Sequence, residues 1–337
     1  MRVEKDHSLK NYNTFNIEAR AEVVAFIESV ADVFEAKKQF HGLNNYFVLG
    51  GGSNTLFKNN FEGLIFKNEM KGIKITNSNQ DHAWIECSGG EEWQHLVDFT
   101  ISNNLAGIEN LSLIPGTVGA SPIQNIGAYG TELKDCLDFA DAVDITTGEY
   151  RRFYNKDCQF GYRDSIFKHE LKDKYFITGV TVKLSKSKEY NTEYADIKHK
   201  LQELEDTELS GKRISDIVSA IRRTKLPDPS VLGNCGSFFK NSVIDVASFN
   251  KLKLSFPDIP GYSDCDGLVK IPTGWLIEKA GWKGRRLGDA GVHEKHALIL
   301  VNYGTATGKE IYDLSENIVH DVENIFGIHL EKEANIV

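Results

Sequence analysis

Three consecutive glycines followed by serine and asparagine, Gly50, Gly51, Gly52, Ser53 and Asn54, bring several backbone N–H groups close together with no side chain in the way. With hydroxyl and amide donors at its end, such a turn offers what a pyrophosphate needs, although a plain glycine hairpin would carry the same residues. It is neither a GxGxxG run opening a helix nor a loop ending in Gly-Lys-Ser/Thr, so it fits neither of those nucleotide-binding types. A second segment, residues 114–130 (IPGTVGASPIQNIGAYG), is too glycine-rich for a helix interior and too apolar for a solvated linker. It suits a surface lying against something flat and partly polar, such as a bound cofactor. A second loop of this kind in the same half of the chain weighs against a purely structural role.

Other candidate groups are more ambiguous. Ser237 follows two glycines in GNCGSFFKN, which lets the backbone present its hydroxyl to a ligand; a turn or cap serine is the plain alternative, and the segment is not the GxSxG elbow of a hydrolase. His293 and His296 stand three apart in HEKH, whereas a zinc-binding HExxH helix needs four. No metal is expected, and the two histidines read as surface or nucleotide-contacting groups. The basic run 283–286 (KGRR) reads as a solvated loop in preference to a phosphate clamp.

The elements that must position these groups are mixed. Residues 46–49 (YFVL) have strand composition and run straight into the glycine turn, with more strand expected after it. Residues 84–87 (WIEC) read as a strand, and Trp93, Leu96, Val97 and Ile101 recur at helical spacing beyond Ser88, Gly89 and Gly90. A hairpin is expected around 141–145 and a β-branched strand over 176–182. A helix is expected from Ser215 as N-cap to the proline pair Pro227 and Pro229, a plausible domain boundary. Beyond it, Pro272 opens a helix that Gly281 stops, 296–302 reads as a buried strand, and Ile311, Leu314, Ile318, Val322 and Ile325 mark a long amphipathic helix.

Composition narrows the class. The 337 residues exceed what one core usually fills, and 41% hydrophobic residues fit globular packing. No run approaches the ~20 apolar residues of a membrane span, and the polar start lacks a signal peptide's pattern. Five cysteines, Cys87, Cys136, Cys158, Cys235 and Cys265, without close pairs fit reduced thiols in a cytoplasm. A net charge of −9 argues against a general nucleic-acid binder.

Five motifs in order, LGGGSN, IPGTVGASPIQNIGAYG, GYRDS, KLPDP and GNCGSFFKN, resemble the UDP-N-acetylenolpyruvoylglucosamine reductase family from Asn13 to the C-terminus. The resemblance implies an α+β protein: a FAD-binding fold of the vanillyl-alcohol-oxidase (PCMH) type in two subdomains, residues 1–70 (joined by the tail 331–337) and 71–226, followed by an α+β substrate domain over 227–330. It implies non-covalent FAD along Gly50, Gly51, Gly52, Ser53 and Asn54 and along Pro115, Gly116, Thr117, Gly119, Ala120, Gln124, Asn125, Gly127, Ala128 and Tyr129. NADPH would be the co-substrate and UDP-N-acetylglucosamine enolpyruvate the acceptor, by a ping-pong sequence, in a cytoplasmic monomer without membrane insertion.

In that reaction a hydride adds to the terminal carbon of an enol ether and leaves carbanion or enolate character next to a carboxylate. Positive charge must meet the carboxylate, and an acid must protonate the carbon. The resemblance makes Arg163 the bidentate clamp, Ser237 the proton donor, and Glu333 the residue that orients a water or stabilises the enol. Tyr194, in an insertion like that of one subtype, would close over the substrate diphosphate together with Lys225 and Asn241, while His296 stands where the family often has glutamine. The rival readings are another FAD-linked oxidase or dehydrogenase of the same superfamily, and a non-catalytic nucleotide-sugar or flavin-binding sensor.

Overall fold

A computed structural model describes residues 1–203, 208–263 and 267–337. Packing divides the chain into two units: one of Met1–His7, Ala21–Gly52 and Glu62–Thr224, the other of Ser8–Arg20, Ser53–Phe61 and Lys225–Val337. The change of unit near residue 225 falls just ahead of the proline pair. The two early excursions, 8–20 and 53–61, had no signature in the sequence.

The first unit contains two sheets. In one the order is Arg2–Ser8, Arg20–Ile27, Phe61–Asn68, Tyr46–Leu49, and the last two strands run parallel with Leu49 opposite Lys67. Its buried face carries Val23, Ala25, Ile27, Leu64 and Phe66 against Val33 and Ala36 of the helix Val30–Gln39. The other sheet is antiparallel, in the order Tyr150–Tyr154, Leu137–Asp144, Tyr175–Ser185, His82–Ser88, Ile73–Ser78. Alternation along His82–Ser88 buries Ala83, Ile85 and Cys87, and the helix Trp93–Ser102 seals that core with Trp93, Leu96 and Val97. The indole N–H of Trp93 would be costly to bury unpaired; it donates to Leu111 O at 3.0 Å and so fixes the start of the second glycine-rich loop.

The last helix of this unit spans Gly211–Lys225 and buries Ile214, Ile217, Val218 and Ile221. Ser215 is not its N-cap. The helix begins a turn earlier, where Ser210 Oγ accepts from Arg213 N at 3.2 Å, and Ser215 is an interior residue whose hydroxyl receives Ser112 Oγ–H at 2.8 Å.

In the second unit a four-stranded sheet has the order Gly233–Ser237, Ile299–Asn302, Ala290–Val292, Arg286–Leu287, and a three-stranded one the order Ser242–Asp245, Leu268–Ile271, Tyr262–Ser263. The expected strand over 296–302 begins only at Ile299, because Ala297 and Leu298 form a turn. An unbroken apolar run carries no period that could have marked this boundary. Thr273–Lys279 is helical, and Gly281 follows it in the left-handed region at φ +80°. The long helix Gly308–Phe326 starts in a capping box, with Thr307 and Glu310 bonding each other's backbone N–H, an arrangement worth about 1 kcal/mol. It stops at Gly327, φ +68°. The excursions join here: Asn234 N donates to Thr14 O, Asn302 Nδ2 donates to Phe15 O, and Asn335–Ile336 pairs in parallel with Thr55–Leu56. Cys265 lies outside the described residues; the other four cysteines are buried free thiols. No helix among the described residues is long and apolar enough to cross a membrane.

Candidate active site

In the first unit the two glycine-rich segments pack backbone to backbone. A Cβ on Gly51 would lie 2.9 Å from Gly116 Cα, and one on Gly50 would collide with Thr117 Oγ1. A third turn, which the sequence had marked only as a strand–helix connection, closes on them: a Cβ on Gly119 would lie 3.0 Å from Gly89 O, whose carbonyl accepts from Gly119 N. Side chains on these turns would fill the space. Thr117 Oγ1 is buried there with no hydrogen-bond partner among the described residues. A buried hydroxyl in that state calls for a polar ligand atom. Glycine-lined backbone and an unsatisfied hydroxyl are the donor set that a dinucleotide's diphosphate and sugar use, so FAD fits the residues present. Ser53 and Asn54, expected beside the glycines, belong to the second unit, where Asn54 Nδ2 donates to Glu333 O at 3.1 Å.

The loop from Pro115 onward leads to Arg163. Asn125 Nδ2 donates to Gly161 O, Ser165 Oγ donates to Ile123 O, and the Arg163 guanidinium donates to Gly127 O. Three bonds thus lay the GYRDS segment along residues 123–127. Gly127 has to be glycine for this approach, since its Cβ would stand 2.8 Å from Arg163 Nη1. Asn125, Tyr129 and Arg163 all have left-handed backbones, at φ +45°, +49° and +53°. Non-glycine residues held this way are strained, and such strain collects at functional sites.

Tyr194 precedes the helix Ala195–Glu203, and its ring meets that of Tyr129 edge to face at 5.2 Å. Asn110, buried within the sequence Glu109–Leu111, ties the two segments together. Its Nδ2 donates at 2.9 Å both to Tyr129 O and to Asn191 O, while Asn191 Nδ2 returns to Gly130 O. Burial pushes the Tyr129 phenol up, partly opposed by the nearby Arg222. Arg222 itself is desolvated and lies close to Arg163. Neither Asn110 nor Arg222 was singled out from the sequence. The available signal for Arg222 was an arginine on the apolar i, i+4 stripe of Ile214 and Val218.

In the second unit Ser237 ends the strand Gly233–Ser237, just past Gly236 at φ +74° and an irregular register opposite Ile299–Asn302. Glu333 N donates to Phe238 O at 2.8 Å, which sets the tail beside the serine. The fold therefore brings Ser237 and Glu333 together. The Glu333 charge adds to burial in pushing the Cys235 thiol up. Asn234 fastens the KLPDP segment to this strand by donating to Pro227 O and Leu232 O. Asn241 Oδ1 accepts from Thr273 N at 3.1 Å. His296 is held below the usual histidine range by burial first and then by the charges of His293, Lys225 and Lys283, so Lys225 and His296 share a neighbourhood. His296 Nδ1 is buried without a partner among the described residues. The basic run 283–286 is exposed, as expected of a solvated loop, with Arg285 lying over the Trp282 ring at 4.3 Å and Arg286 over Tyr303 at 3.6 Å.

Three glycine turns around an unsatisfied hydroxyl, in a segment that matches the FAD binding domain model over residues 21–154, define the class: a FAD-dependent oxidoreductase. Residues 228–337 match the model for the UDP-N-acetylenolpyruvoylglucosamine reductase C-terminal domain. The chain is 46% identical to the UDP-N-acetylenolpyruvoylglucosamine reductase of Flavobacterium johnsoniae over 100% of both chains. It is 44% identical to that of Pseudomonas aeruginosa, over 100% of this chain and 99% of the other. The crystal structure of the Thermus caldophilus UDP-N-acetylenolpyruvylglucosamine reductase shares its fold at 22% identity, with a TM-score of 0.69 and 100% and 99% coverage. The chain belongs to the UDP-N-acetylenolpyruvoylglucosamine reductase family.

Proposed function

We propose that this enzyme uses NADPH and FAD to reduce UDP-N-acetylglucosamine enolpyruvate to UDP-N-acetylmuramate, a precursor for peptidoglycan. Identity to named reductases along the whole chain carries this reading. FAD, which the glycine turns and Thr117 would hold, would supply the hydride chemistry that links NADPH to the terminal carbon of the enol ether. Arg163, always cationic and braced on Gly127 O, pairs with the substrate carboxylate and the charge that develops beside it. Ser237 gives a proton to the adjacent carbon, and Glu333, set beside it through Phe238 O, orients a water or stabilises the enol. Tyr194, Lys225 and Asn241 hold the diphosphate, as in the subtype with a tyrosine-bearing insertion, and His296 takes the position where glutamine is common. The reading extends to a monomer in the cytoplasm, where NADPH is made; light scattering of the purified protein checks its oligomeric state.

Ser237→Ala tests the assignment by separating the half-reactions. Reduction by NADPH protonates no carbon and is expected to keep its rate, whereas flavin reoxidation by the enolpyruvyl nucleotide is expected to slow by ~10²- to 10⁴-fold. Stopped-flow absorbance reads both. Reoxidation at the parental rate would remove Ser237 from the role of proton donor.

A further inference from the structure

Neither glycine motif contains a cation, yet one stands beneath the first of them. Lys67 lies opposite Leu49, the last strand residue before the glycines, and its Nζ donates to Gly50 O at 2.9 Å. Burial holds this ammonium below the ordinary lysine range; Glu69 opposes the shift and Lys71 adds to it. Glu69 is engaged by Arg2 at 3.8 Å, Lys71 pairs with Glu91 at 3.7 Å, and no carboxylate lies within ion-pair distance of Lys67 among the described residues. An ammonium has three donors, of which Gly50 O takes one. Charge withdrawn from water is costly unless something of opposite sign meets it. The unsatisfied Thr117 Oγ1 sits against the same Gly50.

We propose that Lys67 is a cofactor-binding residue whose ammonium neutralises the diphosphate of FAD at the turn of residues 50–52. This rests on the FAD reading and adds a charge contact to a turn that otherwise offers backbone N–H groups alone. A diphosphate supplies the missing opposite charge and acceptors for the remaining N–H groups. FAD in turn completes the polar environment of a lysine that the strand has carried inward.

The test compares FAD rebinding to stripped wild-type, Lys67→Gln and Lys67→Arg proteins, read by quenching of flavin fluorescence over a series of salt concentrations. Glutamine keeps a donor for Gly50 O and deletes the charge. The expected result is a Kd about ten- to a hundredfold weaker for Lys67→Gln, with a flatter salt dependence, and recovery of both in Lys67→Arg. A Lys67→Gln affinity within about twofold of wild type, or a loss with unchanged salt dependence, overturns the proposal, the latter leaving Lys67 only as a prop for Gly50 O. If Lys67→Gln does not survive stripping, the rate of FAD release from the unstripped protein gives the same comparison. Wild-type protein that takes up no FAD would instead sink the functional reading itself.

Discussion

Gly127→Ala isolates the placement of Arg163 from its presence. A Cβ built on Gly127 would stand 2.8 Å from both Arg163 Nη1 and Glu132 Cγ, and 3.1 Å from Thr131 O, where ordinary contact begins at 3.4 Å. The guanidinium must therefore retreat by about 0.6 Å, the gap between 2.8 and 3.4 Å. Two of the three obstructing atoms belong to side chains, Arg163 Nη1 at a flexible end and Glu132 Cγ partway along, and Gly127 is not among the residues with positive φ, so alanine adds no backbone penalty. The cost to the fold is expected near the bottom of the ~1–3 kcal/mol range for overpacking. Catalysis is more sensitive, since a displacement of ~1 Å at a positioned group costs ~10²-fold. Flavin reoxidation by the enolpyruvyl nucleotide is thus expected to fall about tenfold or more, with the melting temperature nearly kept and NADPH reduction unchanged. Anaerobic stopped-flow measures each half-reaction, and a melting curve the fold. Parental reoxidation in a folded Gly127→Ala protein would refute the idea that the Gly127 contact sets the clamp; equal slowing of both halves would move the effect to the cofactor.

Asn110→Asp keeps the side chain's shape and turns a donor that serves two carbonyls into an acceptor facing them. Loss of two hydrogen bonds of about 1 kcal/mol each is expected to raise KM for the nucleotide sugar roughly tenfold or more while sparing reduction by NADPH; an unchanged KM would uncouple Asn110 from the Tyr194 segment. Burial raises the thiol pKa of Cys87, Cys136 and Cys235, and that of Cys158 to about 12. At neutral pH these four stay protonated and unreactive, so an aromatic disulfide reagent is expected to label at most Cys265 until the protein unfolds. Fast labelling of any of the four in the native protein would contradict their burial.

Local chemistry was legible where it was concentrated in sequence. The runs 50–54 and 114–130 announced themselves because glycine at that density has few other uses, and the apolar spacing from Ile311 to Ile325 marked the last helix, though not its Thr307 cap or its stop at Gly327. What could not be read was chemistry that depends on what folds against what. Gly89 looked like any turn until Gly119 was found resting on its carbonyl. Asn110 is one amide in an unremarkable ENL, and its importance lies in carbonyls 19 and 81 residues away. The start of the helix Gly211–Lys225 was misplaced because serines at 210 and 215 compete for the cap, and only the buried partner of Ser215 decides between them. Ser237 and Glu333 are far apart in sequence, and their adjacency arises from a backbone bond at Phe238.

The interleaving of the second unit bears on how the chain is made. Phe15, Leu56 and Phe57 are fully buried in the finished protein, in the excursions that must join Lys225–Val337. During translation the 163 residues of Glu62–Thr224 emerge between these apolar segments and their partners. At 5–20 residues per second, that leaves them uncovered for roughly ten to thirty seconds. The stretch around Leu56 waits longer still, because Asn335–Ile336, the strand that zips along it, is made well after Lys225. Holdase chaperones that bind short apolar segments therefore have a window on this enzyme that a protein with contiguous domains would not open, and residues 53–61 are the segment they should capture on stalled nascent chains.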